Sequence, residues 1–150
     1  MIWTKEEIDG IFDVLKNRSD LSIFVEYMNW KNYPYHDSME YLHDYLKHKY
    51  QNKPIDILIT TDDIALEFAL KNRSELLSNA PVVFCGINEN GLAKITSEYS
   101  NFTGVIEEID PTGTIKMALD INPSLRNVYV LFDNSESGLS TGEMVINKIR

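Results

Sequence analysis

Cysteine is almost missing from these 150 residues: Cys85 is the only one, so no disulfide can close within a single chain. It sits in the apolar run Pro81-Val82-Val83-Phe84-Cys85, where a thiol packs as a small hydrophobe. A lone thiol suits a reducing cytoplasm and also a bacterial exterior, so it leaves the compartment open. Positive charge is scarce as well. The 14 Lys and Arg stand against 23 Asp and Glu and leave a formal charge of −9, which repels a phosphate backbone and argues against nucleic acid as a partner. There is no apolar run of the roughly 18 residues that a membrane span needs, and Met1-Ile2-Trp3-Thr4-Lys5-Glu6-Glu7 lacks the basic-then-apolar order of a secretory leader. The sequence carries no Gly-X-Ser-X-Gly elbow, no Walker loop, no Gly-X-Gly-X-X-Gly and no Cys/His pair for nucleophilic catalysis. His43 and His48 are five apart, off the i, i+4 face that holds a metal, and with His36 they read as surface residues. The expectation is a protein without catalytic residues, metal or cofactor.

What is present is an ordinary globular balance, 43% hydrophobic, 11% aromatic and 25% charged. Its main signal is an exchange between helical spacing and short β-rich runs. Thr4 and Glu7 form a capping box ahead of Ile8, Ile11, Phe12 and Leu15, predicting a helix over 5–17. Leu21 to Met28 reads as a strand and Ser38 to Tyr50 as a helix stopped by Pro54. Ile55 to Thr60 is a second strand. Asp62 and Asp63 then open a helix through Ile64, Ala65, Phe68 and Ala69, with a further turn at Ser74 to Leu77. Pro81 to Cys85 is a third strand, Gly86 to Gly91 a turn-rich link, Leu92 to Thr96 a short helix and Thr103 to Ile106 a fourth strand. Asp110-Pro111 starts a helix that Asn122-Pro123 ends. Asn127 to Phe132 is the strongest strand signal, and Ser140 to Arg150 closes the chain as a helix.

Apolar strands alternating with helical crossovers predict an α/β fold of three layers, α/β/α, around a mostly parallel sheet. Ligands in such sheets bind beyond the carboxyl ends of the strands. Those loops carry Thr60-Thr61-Asp62-Asp63, Cys85-Gly86-Ile87-Asn88, Glu107-Glu108 and Asp133-Asn134-Ser135-Glu136-Ser137-Gly138. Asp62 and Asp63 either bind an ammonium group or a cation, or only cap the helix that follows. Gly86 beside Asn88 either lets backbone amides approach an anion or forms a plain turn. Ser135, Ser137 and Gly138 either present amides and hydroxyls or mark a helix entry. The aromatic set Tyr27, Trp30, Tyr33, Tyr35, Tyr41, Tyr45 and Tyr50 reads as amphipathic packing or as an aromatic-lined surface.

The runs Phe24-Val25-Glu26-Tyr27-Met28-Asn29-Trp30-Lys31, Lys53-Pro54-Ile55-Asp56-Ile57-Leu58-Ile59-Thr60-Thr61-Asp62-Asp63, Asn79-Ala80-Pro81-Val82-Val83-Phe84-Cys85-Gly86-Ile87-Asn88 and Thr103-Gly104-Val105 resemble the ABC-type substrate-binding domains of the type I periplasmic-binding-protein fold. They look most like the version bacteria use as the extracytoplasmic sensor of membrane histidine kinases and diguanylate cyclases. The resemblance covers nearly the whole chain. It implies most of a first lobe over 1–109 and the start of a second over 110–150, with Trp3-Thr4 matching a helix start and the strand before it missing. It further implies a cleft for a small organic solute: Trp3 for stacking, Thr61, Asp62 and Asp63 for an ammonium or hydroxyl, Gly86 and Asn88 for close backbone approach, and Asp133 with Ser137 from the far lobe. Attachment to a membrane would run only through parts outside these residues. The missing strand would be central, so Asn127 to Phe132 is expected to take its place, within one chain or by exchange in a homodimer. The soluble receptor of an ABC importer is the related alternative. A receiver-like or metal-dependent domain using Asp62 and Asp63 is the alternative of another class.

Overall fold

In the computed structural model the chain is described except for residues 1, 31, 34, 35, 89–91 and 93–98 and the side chains of Ile2, Trp3, His36, Glu136 and Ser137. Two compact units divide it, Met1–Glu107 and Glu108–Arg150. The described elements are α1 (Ile2–Leu15), α2 (His36–Tyr50), β1 (Leu58–Thr61), α3 (Asp63–Leu76), β2 (Val82–Asn88), β3 (Phe102–Glu107), α4 (Pro111–Ile121) and α5 (Glu136–Ile149). The described fold is thus α/β, with five helices and, in the first unit, a parallel sheet of three strands in the order β1-β2-β3. Among the described residues no helix is long and apolar enough to cross a membrane.

β2 is the spine of the first unit. It pairs with β1 from Leu58↔Val82 to Thr61↔Cys85, and with β3 from Val82↔Phe102 to Asn88↔Glu107. Alternation sends Val82 and Phe84 inward onto Leu66 and Leu70 of α3, and an irregularity between Phe84 and Ile87 carries the inward face on to Ile87. Gly86 lies in that irregularity at φ 69, a left-handed conformation in which a Cβ is costly. Leu66, Val82 and Ile87 are fully buried, and this small cluster is the core. Gly104 is required beside it, since a Cβ there would stand 2.0 Å from the Phe84 carbonyl oxygen.

Two expected strands are absent. Residues 21–28 and 127–132 form no strand and join no ladder among the described residues. Both runs have β-forming side chains, but a strand exists only where a second backbone supplies the alternate bonds, and the sheet ends at β1 and at β3. The first run is instead tied to α2: Glu26 accepts from the Tyr50 hydroxyl at 2.6 Å and from Lys49, and the Phe24 ring meets Tyr50 edge-on at 5.8 Å. Its apolar side chains remain open to solvent, with Phe24 51% and Tyr27 69% exposed.

Boundaries shift elsewhere. α1 begins at Ile2, so Thr4 lies inside the helix rather than capping it. β2 runs on through Gly86 to Asn88, which places the first half of the expected link inside the strand, the rest of it lying outside the described residues. The helical turn expected at Ser74 to Leu77 belongs to α3. The short helix expected at Leu92 to Thr96 lies outside the described residues apart from Leu92. In the second unit, α4 starts as expected: Asp110 caps it by accepting from the Gly113 amide at 2.8 Å, followed by Pro111. α5 starts earlier than expected, at Glu136, because the Ser135 hydroxyl accepts from the Gly138 amide at 3.1 Å. Lys148 of α5 donates to the Ile109 carbonyl at 3.0 Å, and Thr112 of α4 donates to that of Lys148 at 3.2 Å. Among the described residues of this unit, only Pro111 and Gly142 are buried.

Candidate functional site

The carboxyl ends of β1 and β2 bring five of the expected residues together. Thr61 ends β1 opposite Cys85, and the Asp62 amide continues the ladder by donating to the Cys85 carbonyl at 3.2 Å. Asp63 opens α3, and the Asn88 side-chain amide donates to its carboxylate at 3.3 Å. Gly86 lies between them, because a Cβ built on it would stand 3.4 Å from the Asp62 amide. Thr61, Asp63, Gly86 and Asn88 are half-buried and Asp62 is exposed.

Asp62 is the unusual residue of the group. Its backbone stands at φ 73 and ψ 155, a region populated essentially by glycine, and its side chain makes no capping bond to α3. Of the two readings of Asp62, helix capping is therefore not borne out: its carboxylate makes no capping bond, and the first turn carries Asp63.

Glu7 of α1 joins this group from the far end of the unit, and the capping-box reading missed it. A Cβ on Gly86 would stand 2.7 Å from its carboxylate oxygen. The Cys85 thiol registers the surroundings: burial pushes its pKa up to about 11, helped by the Glu7 carboxylate and by Asp62. Thr60, one residue before Thr61, is 5% exposed, and its hydroxyl has no hydrogen-bond partner among the described residues. No sequence signal places Glu7 here, since the approach is a tertiary contact between α1 and β2.

Asp133 belongs to the second unit, where its carboxylate accepts from the Ser135 amide at 2.9 Å and from the Ser135 hydroxyl. It thereby shapes the entry to α5. The side chains of Trp3 and Ser137 lie outside the described residues. His43 is less of a surface residue than expected, with a side chain 20% exposed between Asp44 at 3.1 Å and Glu75 at 3.2 Å. The aromatic set divides: Tyr50 is buried, whereas Tyr27, Tyr33, Tyr41 and Tyr45 are more than half exposed. Tyr35 is outside the description. Among the described residues no group of three His, Cys, Asp or Glu side chains is arranged to hold a metal. A hollow of about 380 Å³ beside β3 is lined by Phe84, Leu92, Tyr99 and Phe102, and among the described residues no charged group lines it.

Chemically, the strand ends present the carboxylates of Glu7, Asp62 and Asp63, a hydroxyl and a carboxamide, with no Lys or Arg among the described residues of the group. Such a set accepts hydrogen bonds from cationic or hydroxylated groups. Comparison with protein-family models, with curated proteins and with solved structures found no match for this chain.

Proposed function

We propose that this chain is the solute-sensing part of an extracytoplasmic receptor, belonging to a bacterial membrane signal-transduction protein such as a sensor histidine kinase. In this reading it is most of one lobe of a type I periplasmic-binding-protein fold and the start of the other, and it binds without making or breaking a covalent bond. The observation that carries the reading is Asp62. Backbone strain of about 1–3 kcal/mol persists where the surroundings enforce it, and such residues cluster at ligand sites; here the strained residue sits beyond the end of a parallel strand with its carboxylate turned away from helix capping. Thr61, Asp63, Gly86, Asn88 and Glu7 surround it, and together they suit a small organic solute bearing an ammonium or hydroxyl group. The receptor of an ABC importer would use the same residues and differ in what is attached to them.

A metal-dependent signalling domain built on Asp62 and Asp63 is less favoured, because among the described residues no three His, Cys, Asp or Glu side chains are arranged to hold a metal ion. Thermal denaturation separates the two. An amine, amino acid or polyol at about a hundred times its Kd adds roughly 2.7 kcal/mol, which raises Tm by about 5 °C or more. Asp62→Asn should abolish that rise. A rise produced by Mg²⁺ and by no organic solute overturns the receptor reading.

A further inference from the structure

We draw no further inference here: the strongest candidate, the hollow of about 380 Å³ beside β3 lined by Phe84, Leu92, Tyr99 and Phe102, carries nothing because residues 93–98, between two of its lining residues in the chain, lie outside the described ones and nothing in the structure shows what covers it.

Discussion

Asp62 occupies a backbone conformation that costs an ordinary residue about 1–3 kcal/mol and glycine little. Asp62→Gly therefore exchanges strain for the smaller entropic cost of a flexible residue, about 0.5–1 kcal/mol. The variant should be more stable than the parent by about 1 kcal/mol in urea denaturation and should lose its response to solute. A loss of stability would show that the carboxylate supports the fold rather than a ligand. The acidic pair was visible in the sequence because it follows a β-rich run directly, and so was its place at the end of a strand. The strain was not, since nothing in the letters Thr-Thr-Asp-Asp forces a positive φ. Glu7 was visible only as the partner of Thr4; its approach to Gly86 depends on where α1 lies against β2, which no local pattern encodes.

Residues 21–29 form an extended run without a sheet, and they are tied to α2 largely through one carboxylate. Burial alone would raise the Glu26 pKa, but the hydrogen bonds from Lys49 and Tyr50 outweigh it and hold Glu26 below its ordinary value, while burial and Glu26 push Tyr50 up to about 12. A carboxylate with a depressed folded pKa contributes stability that is complete above its unfolded value, near 4.5, and is lost as pH falls through the folded one. Glu26→Gln should cost about 1–2 kcal/mol at neutral pH, remove part of the acid sensitivity below pH 4.5 and speed amide exchange at the end of α2. Unchanged exchange there would mean that Phe24 alone secures the run. Helices with caps or stops in the sequence, at Pro54 and at Asp110-Pro111, appeared close to where those signals put them. The two missing strands were read from β-propensity, which describes how side chains suit a pleated surface and says nothing of whether a neighbouring backbone is there.

The two units differ in what holds them. The first has a dry cluster built on Leu66, Val82 and Ile87, whereas in the second only Pro111 and Gly142 are buried among the described residues. Capping at Asp110 and Ser135 stabilises helix ends by about 1 kcal/mol each, too little to offset the entropy of ordering a segment that buries almost no apolar surface. A peptide of residues 108–150 in dilute solution should show no cooperative thermal transition by circular dichroism, whereas residues 1–107 should retain one. A cooperative melt of the peptide would show that it builds a core of its own.

The exposed run at 127–132 has a consequence for the protein at rest. Six consecutive residues without charge, proline or glycine have the composition of segments that stack in register into cross-β spines. As long as nothing covers them, these side chains can stack on those of other copies, and the balance shifts toward fibrils as the concentration of uncovered chains rises.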